Sequence, residues 1–179
     1  MKTAAILTVT TAIILASATP ASALKLTSPD HANGATIAAE HMYPRCGGKN
    51  TAPALSWSGA PKGTKSFALT FVDTSVLPLA WSHWIVVNIP ADATSLPRGG
   101  ALPPGAEGLK SNFGDEVYAG PCPPAGTGVH KYEFTLYALP TRAPAIVSES
   151  SARDLVESLG KLALAKATLK GVAAAADPN

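Results

Sequence analysis

The chain has 179 residues, 46% of them hydrophobic, with 14 Lys and Arg against 12 Asp and Glu for a formal net charge of +2. That length supports one domain with a substantial core. So even a charge balance gives no general attraction for nucleic acid or an anionic membrane surface, and any bound anion must be held by local geometry.

The N-terminal stretch MKTAAILTVTTAIILASATPASA carries one lysine, a mostly apolar segment over residues 4–18, and then Ala21, Ser22 and Ala23. A positive charge, a short apolar run and small residues before a break form the pattern of a secretory signal peptide, with cleavage expected after Ala23. The run is too short, and too interrupted by threonine, for a stable membrane anchor. The expectation is an exported chain, periplasmic or secreted, with residues 24–179 forming a single domain. Cys46 and Cys122 are its two cysteines, and an oxidising compartment permits a disulfide between them. Sequence leaves open whether their Cα atoms lie within the roughly 7 Å that a bridge requires.

Three segments read as strands. In SFALTFVD, residues 66–73, Phe67, Leu69 and Phe71 alternate with Ser66, Ala68 and Thr70, which predicts a half-buried strand. HWIVVNIP, residues 83–90, is almost continuously apolar, as where both faces are covered, and Pro90 ends it. KYEFTLYALP, residues 131–140, puts Tyr132, Phe134, Leu136 and Ala138 on one face and Glu133, Thr135 and Tyr137 on the other. The Pro/Gly-rich connection over residues 97–128 has a length that, in a compact domain, marks a functional or disordered loop.

After Pro144 the spacing of Leu155, Leu159 and Leu162 predicts a helix. Ser151 and Asp154 open it as a capping box, and Gly160 is expected to break it into two short helices. Residues 172–179 are expected to fray. No internal repeat and no second domain are found.

The chemistry is constrained mostly by what is missing. There is no G-x-S-x-G, no H-E-x-x-H, no Cys/His set with zinc spacing, and no phosphate-loop or dinucleotide fingerprint. No metal and no cofactor are therefore expected. Two histidines start strands beside loops: His83 and His130. If those strands are neighbours, both imidazoles reach one rim, with Asp73 arriving from the end of SFALTFVD and Tyr132 on the same side as His130. Such a set can hold an anion through imidazole and phenol donors, with Gly120 allowing close backbone approach and Pro121 fixing the loop. Asp73 would orient a histidine and favour its protonated form. Without further context these residues also read as strand-end packing and turn formers, and Trp57, Trp81 and Trp84 read as packing.

CGGKNTAPALSWSGAPKGTKSFALTFVD, WSHWIVVNIP, GLKSNFGDEVYAGPCPPAGTGVHKYEFTLYAL and LAKATLKG follow one another in the order and spacing of a known family. From about Leu26 to Gly171 the chain resembles a bacterial member of the phosphatidylethanolamine-binding protein family, the group that includes Raf kinase inhibitor proteins. The resemblance implies a mainly β fold, a Greek-key antiparallel β-sandwich with short C-terminal helices. It also implies an anion pocket of Asp73, His83, Gly120, Pro121, His130 and Tyr132, with Trp81 and Pro123 at the rim. The family's D-P-D-A-P region is altered here to DTSVLPLAWSH, which keeps Asp73 but lacks the second aspartate. The relatives' terminal strand is replaced by VAAAADPN.

The function expected on this basis is non-catalytic binding of a small anion, a phospholipid headgroup or a phosphorylated or acidic protein segment. Nucleic acid is not an expected partner, and a homodimer is allowed. The alternatives are an inhibitor of a kinase or hydrolase acting through the same pocket, and a hydrolase using His83 or His130 as base. Ser82 and Ser75 are poor nucleophiles for the last, since nothing in the sequence orients them.

Overall fold

The structure is a computed structural model and describes residues 23–76, 80–142 and 151–175. The expected signal segment lies outside the described residues except for Ala23, as do residues 77–79 of the altered region.

Among the described residues, eight strands form two antiparallel sheets. The small sheet pairs β1 (Lys25–Thr27), β2 (Leu55–Ser58) and β5 (Ser95–Leu96) in the order β1-β2-β5. The large sheet comprises β3 (Ser66–Asp73), β4 (Trp81–Pro90), β6 (Glu107–Leu109), β7 (Val129–Leu139) and β8 (Ala165–Ala174), in the order β6-β4-β3-β7-β8. After β6 a long connection returns the chain to place β7 beside β3, which is Greek-key topology.

The small sheet is one-sided. Leu26, Leu55 and Trp57 point inward and alternate with exposed Lys25, Thr27, Ser56 and Ser58. Facing them across the sandwich are Phe67, Leu69 and Phe71 of β3, Trp84, Val86 and Ile89 of β4, and Phe134 and Leu136 of β7. The outer face of the large sheet is covered as well. Ala68, Ile85, Val87, Tyr137 and Leu139 pack against Leu155 and Leu159 of helix α1 (Ala152–Leu162). All eight residues of β3 are therefore buried, and the half-buried strand expected from alternation is a central strand covered on both faces.

The C-terminal expectations need correcting. The Ser151 hydroxyl accepts from the Asp154 N–H and donates to its carboxylate, so α1 starts at the capping pair. The helix then runs through Gly160 without a break and ends at Leu162, which is 43% exposed and lies outside the apolar face. The segment expected as a second helix, and the start of the tail expected to fray, form β8, paired with β7 from Val129↔Ala174 to Ala138↔Ala165. Alanine, lysine and leucine favour helix intrinsically, but a ten-residue ladder on an existing sheet edge outweighs that preference. Residues 33–37 cover the outer edge of β8: the Gly34 N–H donates to the Lys170 carbonyl and the Ile37 N–H to the Val172 carbonyl. A Cβ at Gly171 would come within 2.7 Å of Ile37 Cγ1, so glycine is what fits where these segments meet.

Gly160 is exposed, and a Cβ there would meet nothing within 4 Å. Gly160→Ala should stabilise the fold by about 0.5–1 kcal/mol by lowering the entropy of the unfolded chain. A urea midpoint that does not rise would contradict this placement of the residue.

Candidate functional site

The two histidine-bearing strands are not neighbours, as the sequence reading supposed. β4 and β7 flank β3 and both run antiparallel to it, so their starts meet its end at one edge of the sheet. Asp73, the last residue of β3, registers with Trp81 on one side and Tyr132 on the other. Phe71 pairs with Trp84 and Val72 with Ser82, which makes His83 the extra residue of a β-bulge. Strict alternation back from inward-facing Trp84 would send His83 to the helix-covered face. The bulge instead turns its ring inward, 5.4 Å from Phe71 and 5.3 Å from Tyr132 between centroids.

These elements enclose a cavity of about 320 Å3. Its lining includes Asp73, His83, His130 and Tyr132, together with Trp81 and Phe113. The opposite wall is the stretch Cys122, Pro123 and Pro124, with Arg45 and Val76 completing the lining. Cys122 is bridged to Cys46, with a Cα–Cα distance of 5.4 Å, so the wall is tied to the turn that carries Arg45.

His130 is held at both ring nitrogens. Nδ1 lies 2.6 Å from Asp73 Oδ2, and Nε2 lies 2.8 Å from Thr127 Oγ1. The Thr127 hydroxyl also reaches the Pro124 carbonyl at 2.7 Å. The proton on the Nδ1 side is shared with the Asp73 carboxyl. This short contact makes His130 and Asp73 one hydrogen-bonded unit. The other oxygen of Asp73 accepts from the Ser75 N–H at 2.8 Å.

His83 is in a different state. Burial lowers its pKa to about 4, against smaller raising effects from the Ala119 carbonyl and Asp73. The ring is therefore neutral at pH 7. A carbonyl can only accept, so the proton sits on Nδ1, 3.0 Å from the Ala119 oxygen, and Nε2 carries a lone pair. Burial, and next the Asp73 carboxylate, push the Tyr132 phenol well above its usual range, so it stays protonated and able to donate.

Gly120 and Pro121 are not among the lining residues; they stand behind the wall. A Cβ at Gly120 would lie 2.1 Å from the His41 carbonyl oxygen and 2.7 Å from the Tyr43 nitrogen, so its bare backbone packs against the 41–43 segment rather than opening toward a ligand. The Pro121 carbonyl accepts from the Tyr43 N–H at 3.0 Å. Gly120→Ala should cost about 1–3 kcal/mol, because all three nearest atoms are backbone and cannot swing aside. An unchanged thermal midpoint would place Gly120 elsewhere.

Five residues that shape the site were not singled out from sequence. Asn50, at φ 55°, clamps the wall: its Oδ1 accepts from the Gly120 N–H at 2.7 Å and its Nδ2 donates to the Tyr118 carbonyl at 3.0 Å. Asn112 accepts from both the N–H and the hydroxyl of Ser82, whose oxygen accepts in turn from the Asn112 N–H. That clamp sets the next residue, Phe113, 4.8 Å from the His83 ring and 5.3 Å from Tyr43. Thr127 and Arg45 complete the set. An aromatic inside the turn-forming SNFGD was a usable signal for Phe113, whereas Arg45 offered only its place beside a cysteine. Among the described residues, no group of three or more His, Cys, Asp or Glu is placed to hold a metal ion.

The phosphatidylethanolamine-binding protein family matches residues 27–174. The chain belongs to this family. The protein named UPF0098 protein YbcL of Escherichia coli is 41% identical over 140 residues, covering 73% of this chain and 76% of YbcL. A UPF0098 protein of Methanothermobacter thermautotrophicus is 40% identical over 131 residues, 71% of this chain and 85% of that one. A Mycobacterium tuberculosis relative named as the putative lipoprotein LppC is 42% identical over 125 residues, 68% of this chain and 60% of LppC. In three dimensions this phosphatidylethanolamine-binding protein family member superposes on the crystal structure of E. coli YbcL with a TM-score of 0.77 and 37% identity, over 84% of this chain and 98% of the other. The Chlamydia trachomatis homologue CT736 gives a TM-score of 0.69 at 29% identity, over 85% and 97%. The mainly β sandwich is thus the family's fold. Among the described residues no helix is long and apolar enough to cross a membrane.

Proposed function

We propose that this protein is an exported, non-catalytic binding protein whose pocket takes a phosphate-like group, carried by a small anion, a phospholipid headgroup or an acidic or phosphorylated segment. The observation that carries the reading is the convergence of His83, the hydrogen-bonded His130–Asp73 pair and the protonated Tyr132 on one cavity. About 320 Å3 accommodates a headgroup-sized molecule. The family's name and the LppC relative's description as a lipoprotein support ligand class and export, respectively.

The non-catalytic reading is supported by how Ser82 and the two cysteines are used. Ser82 is fully buried with its hydroxyl committed to Asn112, Ser75 Oγ accepts from the Lys131 N–H, and both cysteines are in the bridge. Ser82 and the cysteines are thereby withheld from a substrate, and no base contacts the Ser75 hydroxyl among the described residues.

A phosphate oxygen meeting the lone pair of His83 needs a proton between them. Binding of a phosphate monoester dianion should therefore take up a proton near neutral pH, inorganic phosphate can supply its own, and both should weaken as pH rises. Calorimetric titration with inorganic phosphate and O-phosphoethanolamine, in buffers of different ionisation enthalpy, reads both affinity and proton uptake. The expected result is competitive binding that His83→Ala abolishes; the absence of binding by either compound would overturn the reading. Mass spectrometry of the protein recovered from the cell envelope should find a chain starting at Leu24, and an intact leader on all of it would contradict export by cleavage.

A further inference from the structure

Resting on that pocket, we propose that Arg45 is its charge-matching residue, that the Cys46–Cys122 bridge holds it in place, and that the ligand is a phosphate monoester with net negative charge rather than a net-neutral headgroup.

The inference comes from counting charge around the cavity. His83 is neutral, and His130 is tied to the Asp73 carboxyl rather than free to pair with a ligand. Tyr132 is an uncharged donor. Arg45 is the one lysine or arginine in the lining, and its guanidinium makes no hydrogen bond or ion pair with any described residue. Arg45 is exposed, so solvent screens its charge and its selectivity must come from geometry. A planar guanidinium also matches two phosphate oxygens at once, which lysine cannot do.

The attachment of Arg45 is unusual. It sits in a single turn, Pro44–Cys46, with Pro44 fixing the start and Cys46 fixing the end by a covalent bond to the facing wall. The Gly47 N–H closes the turn onto the Pro44 carbonyl at 3.0 Å. The bridge thus joins the arginine's own turn to a lining residue. Opening it would leave Arg45 on a three-residue turn with hydrogen bonds alone to hold it over the pocket.

The test compares phenyl phosphate, inorganic phosphate and glycerophosphoethanolamine on the full mature protein, its Arg45→Gln and Arg45→Lys variants, and the Cys46→Ser/Cys122→Ser variant. Wild type should prefer phenyl phosphate and inorganic phosphate over the net-neutral diester by at least about tenfold. Arg45→Gln should erase that preference with an unchanged melting temperature, since the guanidinium has no partner in the fold to lose, and Arg45→Lys should keep part of it. Removing the bridge should lower the preference in the wild-type background and change nothing further in Arg45→Gln. If Arg45→Gln binds all three compounds as wild type does while His83→Ala binds none, the pocket stands and this inference falls. Tightest binding of the diester by wild type would also overturn it, and if wild type binds none of the three, the pocket reading falls with it.

Discussion

Opening the Cys46–Cys122 bridge is expected to destabilise the fold by on the order of 4 kcal/mol. The bridge closes a loop between residues 76 apart in sequence. In the chain-entropy account, a loop of that length removes about this much from the unfolded ensemble. The native geometry does not oppose the bond, since the Cα atoms are 5.4 Å apart, near the ordinary spacing. The two anchors also belong to well-packed surroundings: Cys46 lies against the main core, and residues 118–121 are buried and held by Asn50. Guanidinium unfolding of the Cys46→Ser/Cys122→Ser variant against the oxidised wild type measures the difference. A loss below about 1 kcal/mol would mean that the loop is already constrained in the unfolded chain.

The second large effect is acid destabilisation through His83. Its pKa is about 4 in the fold, against an ordinary value of 6.5, so the unfolded chain binds a proton on this ring more readily than the native one. Stability from His83 is complete above about pH 6.5 and is lost as pH falls toward 4, by about 3 kcal/mol in all. His31 adds to the same trend, its pKa lowered by burial and by the neighbouring His41, and opposed by Asp30. The measurement is the urea midpoint of wild type and His83→Asn from pH 7.5 to 4. Wild type should lose stability steeply over that window and the variant less so; parallel curves would show that His83 is not the titrating group. His130 calls for a different design. His130→Ala, an obvious test of binding from sequence alone, would leave Asp73 buried without its imidazole, so lost binding and lost fold would be confounded.

The sandwich itself was readable in the sequence where burial imposes a period. Phe67, Leu69 and Phe71, and Tyr132 to Ala138, face the core as their alternation predicts. Alternation did not show that β3 is covered on its other face, because Ala68 and Thr70 are small or polar and their cover comes from α1, far along the chain. β8 was missed for a related reason. Lys166, Thr168 and Lys170 do alternate with Ala167, Leu169 and Gly171, but alanine and lysine are helix formers, and only the waiting edge of β7 decides between the two conformations.

At the site, the meeting of Asp73, His83, His130 and Tyr132 followed from their places at strand ends, whereas the reason His83 faces inward did not. It depends on a one-residue bulge, and a bulge leaves no mark in the period of the flanking residues. Gly120 shows the opposite error. Glycine next to proline beside a pocket suggested access for a ligand, yet the space it leaves is filled by the backbone of residues 41–43. Asn50, Thr127 and Arg45 act through partners 70, 3 and 77 positions away respectively, at Gly120, His130 and Cys122, the last through the neighbouring Cys46. Contacts of the longer kind are set by the topology of the sheet, not by local pattern.

The central claim is that one end of this sandwich binds a phosphate-like group. Nuclear magnetic resonance of the mature protein titrated with inorganic phosphate tests it most directly, because a second and larger depression of about 530 Å3, lined by Lys65, Asn88 and Arg142 at the opposite end of β3, serves as an internal control. The account predicts saturable shifts of the His83 and His130 ring signals together with the Phe113 and Tyr132 amides, and none at Lys65 or Asn88. Saturable shifts confined to Lys65, Asn88 and Arg142, with the two histidine rings unmoved, would contradict it.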